Sequence, residues 1–134
     1  MGYIMNKKLL IALVLFIVWV VLFFVPKAKA ESPTQPPIVW DKQTVQKLIH
    51  DVSIQYGVSE SVMNRVISCE STYNKDTIGD GGKSYGLVQI HQDYWGDKIT
   101  IEQSKDPYFA VDFLADKLSK KQGHLWTCYR MYYN

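Results

Sequence analysis

Ser59-Glu60-Ser61-Val62-Met63-Asn64-Arg65-Val66-Ile67-Ser68-Cys69-Glu70-Ser71 is the stretch from which the rest of the chain can be read. Ser59 is a helix N-cap, and Val62, Met63, Val66 and Ile67 recur at the three- and four-residue steps of one helical face. Glu70 falls seven residues after Met63 and four after Val66, so it projects from that same apolar face. A carboxyl group there resists ionisation and can remain a proton donor near neutral pH. The competing reading is a solvated Glu at a fraying helix end, and periodicity alone does not separate the two.

Upstream, Asp41 caps an earlier helix whose apolar residues Val45, Leu48, Ile49, Val52 and Tyr56 follow the same steps until Gly57 ends it. Residues 31–39, with Pro33, Pro36 and Pro37 among Ser, Thr and Gln, read as an extended linker. Before that, Lys7 and Lys8 precede an unbroken apolar run from Leu9 to Val25, then Pro26, Lys27 and Ala28-Lys29-Ala30. Residues 1–30 are therefore an export segment. The Ala-x-Ala pattern argues for cleavage after Ala30, while the run of 17 apolar residues also reaches the lower limit of a membrane-spanning anchor, about 17. With either fate, residues 40–134 form one small domain outside the cytoplasm: secreted, periplasmic, or held at the membrane through residues 9–25.

Downstream, Ser71 to Ser84 is polar and glycine-rich, with Gly79, Gly81 and Gly82 around Asp80, and reads as an irregular loop or short hairpin lining a cleft. It lacks the Gly-Lys-Ser/Thr ending of a phosphate loop. Asp106-Pro107 then opens a third long helix, with Ala110, Val111, Leu114 and Leu118 on one face until about Gly123. The expected fold is mainly α.

The whole-chain net charge of +2 comes from the N-terminal segment. Removing Lys7, Lys8, Lys27 and Lys29 from the 15 basic residues leaves eleven against thirteen acidic ones, so the exported part is slightly acidic. No basic stripe argues for nucleic acid. The two cysteines, Cys69 and Cys128, both lie in the exported part, where an even pair usually forms a disulfide; the alternative is two buried thiols. A bridge would close a loop of nearly sixty residues and stabilise the domain by about 4 kcal/mol.

Glu70-Ser71, Asn74 and the segment Gly79 to Ile90 with its Tyr85-Gly86-Leu87-Val88-Gln89-Ile90 ending together resemble the lysozyme-like transglycosylases, the SLT-type domain, from about Val45 to Tyr129. The resemblance implies a small lysozyme-like helical domain that cleaves the β-1,4 bond between N-acetylmuramic acid and N-acetylglucosamine in peptidoglycan. In that picture Glu70 is the catalytic acid, Ser71 lies near a substrate acetamido group, and Gly86, Leu87 and Gln89 form a cleft wall with Gln89 on sugar. Tyr129 corresponds to the tyrosine of an Ala-Tyr-Asn motif that contacts the catalytic carboxylate, although here the motif reads Cys128-Tyr129-Arg130. Animal-type lysozymes carry an Asp before the Tyr-Gly pair, where this chain has Ser84. A serine cannot supply that charge, so the expected course is lytic transglycosylation: Glu70 acts first as acid and then as base, and the muramic 6-hydroxyl attacks to give a 1,6-anhydro product. Asp80 is the leading candidate for a second, water-holding carboxylate, which would give lysozyme-type hydrolysis instead; an Asp among glycines is otherwise a turn residue.

Other residues weigh less. His50, His91 and His124 have no metal-ligand spacing, so neither a metal nor a cofactor is expected. Among the aromatics, Tyr85 is the best candidate to stack on a sugar, with Trp95 and Trp126 expected mostly in the core. The expected partner is a peptidoglycan strand, bound by a monomer. Two further classes remain open: a module that binds the glycan without cutting it, and a structural envelope protein.

Overall fold

The computed structural model describes Ile11, Phe16 and residues 37–133. The chain divides into two units, Met1–Pro36 and Pro37–Asn134. In the first, Ile11 and Phe16 are helical and exposed; the rest of residues 1–30, expected to be an export segment, and residues 31–36 of the expected linker lie outside the described residues. Among the described residues no helix is long and apolar enough to cross a membrane. Pro37 to Val39 are exposed and without regular structure, and Trp40, edge-on against Tyr108 at 5.0 Å, is the first residue to pack.

The second unit is mainly helical, with a small sheet. Helix α1 (Lys42–Tyr56) starts at Asp41, whose carboxylate accepts from the Thr44 N–H at 2.8 Å. It ends at Gly57, which takes the left-handed conformation with φ 63° that a side chain would disfavour. Helix α2 (Glu60–Ser71) is capped by Ser59 through the Val62 N–H. After it come β1 (Ile78–Gly79), β2 (Ser84–Tyr85) and β3 (Ile90–His91), an antiparallel sheet in that order, with Ile78 opposite Tyr85 and Tyr85 opposite Ile90. The glycine-rich stretch is thus partly a hairpin.

Helices α3 (Gln92–Trp95) and α4 (Ile101–Lys105) are short and were not visible in the apolar periodicity, because neither completes two turns. Helix α4 does carry a capping box, in which Thr100 and Gln103 satisfy each other's backbone N–H groups. Helix α5 (Pro107–Ser119) starts at Asp106 as expected but stops four residues before Gly123; Lys121 turns left-handed there, and a 3-10 turn (Gly123–Leu125) leads into α6 (Thr127–Tyr133).

One face of each long helix meets in the core: Val45, Ile49 and Val52 from α1, Met63, Val66 and Ile67 from α2, and Ala110, Val111, Leu114 and Ala115 from α5. Leu87, Val88 and Ile90 close it from the sheet side. Full burial of each large apolar side chain contributes about 1.5 to 3 kcal/mol. Helix α1 packs on α2 and α5, and α2 packs on α6, to which the Cys69–Cys128 disulfide also joins it. The paired-cysteine expectation therefore holds.

Candidate active site

Helix α2 delivers Glu70 at its last turn. Thr72 and Tyr73 follow with φ of 54° and 63°, and this left-handed pair turns the chain sharply toward the sheet while Glu70 stays half-buried. The turn is held locally: the Thr77 hydroxyl donates to the Ser71 carbonyl at 3.3 Å, and the Asp76 N–H to Asn74 Oδ1 at 3.0 Å.

Glu70 opens onto a cleft of about 600 Å³, a size suited to one or two sugar rings. Asp80, Ser84, Gln89, Ile90 and His91 form its sheet side; Tyr94, Trp95, Phe113 and Trp126 form an aromatic side; His124, Leu125, Thr127 and Arg130 complete it. The aromatic side is built rigidly. Phe113 lies edge-on to Trp95 at 5.1 Å and to Trp126 at 6.0 Å, and the Trp126 indole N–H donates to the Val88 carbonyl at 2.7 Å. Trp126 is core as expected, and the same ring also faces the cleft.

Burial pushes the Glu70 carboxyl above its ordinary value, since the charged form loses hydration there. The Cys128 backbone N–H, donating to Glu70 Oε1 at 3.3 Å, opposes that rise. Of the two charged neighbours, Asp80 raises the pKa further and Arg130 lowers it. Asp80 itself adopts φ 49° and accepts a short hydrogen bond from the Ser84 hydroxyl. Ser84 thus orients a carboxylate four residues earlier.

Glu70, Asp80 and Gln89 come together in the cleft. Gln89, at φ 50°, donates both amide hydrogens to the protein, to the Gly86 carbonyl at 2.9 Å and the Thr77 carbonyl at 3.2 Å, so only its Oε1 is left over, packed against Gly79. Ser71, Tyr85, Gly86, Leu87 and Tyr129 do not line the cleft. Ser71 is buried and bonds back to the Ile67 carbonyl at 3.1 Å, and Leu87 is wholly in the core. Tyr85 donates to the Gly82 carbonyl and has the Lys105 ammonium over its ring, away from the cleft. Gly86, at φ 80°, sits so close to the Ser104 carbonyl that no side chain fits. Tyr129 packs on Gly123 and Tyr133, and the group touching the Glu70 carboxylate is the N–H of the preceding residue.

Phe113, Thr127, Arg130 and the Cys128 N–H entered the site without having been singled out in the sequence. Cys128 and Arg130 had left a trace there, as the two positions where Cys128-Tyr129-Arg130 differs from the expected Ala-Tyr-Asn. The Arg130 guanidinium is fixed on the rim by the His124 carbonyl at 2.6 Å and the Thr127 hydroxyl at 2.9 Å. Among the described residues, no three His, Cys, Asp or Glu side chains converge where a metal ion could sit. No protein-family model matches the chain, and no curated protein matches it.

Proposed function

We propose that this chain is a peptidoglycan-cleaving enzyme of lysozyme-like type, acting outside the cytoplasm, with Glu70 as the proton donor to the leaving oxygen of the β-1,4 bond. The observation that carries the reading is a half-buried carboxyl, raised in pKa by burial, at the wall of a cleft with a rigid aromatic side. A proton donor needs a raised pKa to remain protonated near neutral pH, and aromatic faces suit the C–H surfaces of pyranose rings.

Transglycosylation is the first course. Glu70 protonates the leaving oxygen, the resulting carboxylate then takes the proton of the muramic 6-hydroxyl, and that oxygen closes on the anomeric carbon. A second reading, hydrolysis, is favoured by one observation: Asp80 lines the same cleft, and its charge is felt at Glu70. There Asp80 would hold a water for attack or stabilise the positive charge developing on the sugar.

Mass spectrometry of the soluble products separates these courses, using the full chain and a Glu70→Gln control on purified peptidoglycan. Anhydro-muropeptides from the wild type alone support transglycosylation; reducing-end products support hydrolysis. No release by the wild type, with the protein still sedimenting on the polymer, would refute the enzyme and leave a glycan-binding module.

A further inference from the structure

The two ends of the disulfide flank the acid. Cys69 precedes Glu70 on α2, and Cys128, its bridged partner, is also the residue whose backbone N–H donates to Glu70 Oε1. The sulfur–sulfur link and the hydrogen bond thus run side by side between the same two segments. Helix α6 has seven residues, and Arg130, Met131, Tyr132 and Tyr133 on it are exposed. A helix of that length has little stability of its own, so its position against α2 depends on packing and on the bridge.

The other charged or titratable groups lining the cleft come from separate elements, and of them Asp80 and Arg130 act on the Glu70 charge. Asp80 stands on the β1–β2 turn, His91 on β3, Tyr94 on α3, His124 on the 3-10 turn and Arg130 on α6. None of them donates a hydrogen bond to Glu70 in this structure, and the Cys128 N–H does. Removing that donor would leave a half-buried carboxylate without its hydrogen-bond partner.

We propose that the Cys69–Cys128 bridge is a positioning device for the acid: it fixes the Cys128 N–H on the Glu70 carboxylate, and so sets both the aim of the proton donor and the pH at which it ionises. This rests on the proposed role of Glu70. Cys128 is a positioning residue, and its side chain takes no part in the reaction. A dithiol that reduces the bridge, giving up two electrons and two protons and closing to its own cyclic disulfide, therefore weakens catalysis without chemically altering any cleft-lining residue.

The test is an NMR titration of the full chain in mild detergent, following the Glu70 side-chain carboxyl carbon and the amide proton of residue 128, alongside glycan release. It compares the bridged chain, the chain reduced with dithiothreitol, a Cys69→Ser/Cys128→Ser variant and a Glu70→Gln control. In the bridged chain the Cys128 amide shift should follow the Glu70 midpoint, and this response should vanish in Glu70→Gln. Without the bridge, the amide at position 128 should stop responding. The Glu70 midpoint should then rise by about one pH unit, the order expected for losing one backbone donor. Because the acid loses its aim, kcat should fall by about tenfold or more, a larger change than any rise in KM from a shift of Thr127 and Arg130 on α6.

An amide that ignores the Glu70 titration in the bridged wild type overturns the proposal by itself, even where the serine variant does not fold. So does a folded bridge-free chain with the same amide response and the same midpoint. Absence of glycan release from the wild type would instead overturn the proposed function, while the two titrations still decide the positioning.

Discussion

Removing the bridge should cost this protein a large part of its stability. Cys69 and Cys128 are 59 residues apart, and in the loop-entropy treatment a closed loop of that length removes about 14 cal/mol/K from the unfolded chain, or about 4 kcal/mol at 25 °C. A domain of about a hundred residues has only about 5 to 15 kcal/mol in total, and each kcal/mol shifts its melting point by about 4 to 8 °C. The Cys69→Ala/Cys128→Ala variant should therefore melt about 15 to 30 °C below the oxidised wild type. Little of this loss should come from packing, because Cys69 is exposed and only Cys128 is buried. Thermal melts by near-ultraviolet circular dichroism and urea titrations with fitted slopes, on the full chain in non-ionic detergent, measure it. A loss below about 1 kcal/mol with an unchanged urea slope would refute the reasoning, because the unfolded chain would then already be as restricted without the bridge as with it.

Glu70→Gln should abolish glycan release and at the same time stabilise the domain at neutral pH. The folded pKa lies above the unfolded one, so the native state binds the proton more tightly; the contribution of Glu70 to wild-type stability is fully present below about pH 4.5 and is lost as pH rises through the folded value. The melting-point gap between variant and wild type should accordingly open above about pH 4.5, and a constant gap would count against a buried carboxyl. Arg130→Gln removes a neighbouring positive charge that favours the ionised form, so the alkaline limb of the pH–rate profile should move up; a downward shift would contradict the geometry. Gly86→Ala should destabilise by about 3 kcal/mol or more in urea titration, since a methyl group meets the Ser104 carbonyl at a left-handed φ, whereas Gly81→Ala, with open space around it, should cost about 1 kcal/mol.

The long helices and their caps were legible because each rests on local chemistry. Asp41, Ser59 and Asp106 bond to backbone N–H groups three residues on, and the apolar residues of α1, α2 and α5 repeat at helical steps, so neither needs a distant partner. Glu70's place on a buried face follows from the same repeat. Helices α3 and α4 were missed because four and five residues are too few for a period to register.

The site depended on contacts far apart in sequence. Tyr85 and Leu87 sit beside Gln89 in the chain, yet only Gln89 reaches the cleft, because β2 runs into a tight turn at Gly86 and the left-handed Gln89 reverses the direction of the backbone. Whether Asp80 is a turn residue or a cleft carboxylate could not be read from its glycine neighbours; it is both, since the left-handed turn aims it at Ser84 and into the cleft. The sequence alone thus determined the helices, their buried faces and the residue type able to donate a proton. Only the tertiary structure decided which groups meet it, because the donor to Glu70 is a backbone N–H 58 residues away, and every residue but proline carries one.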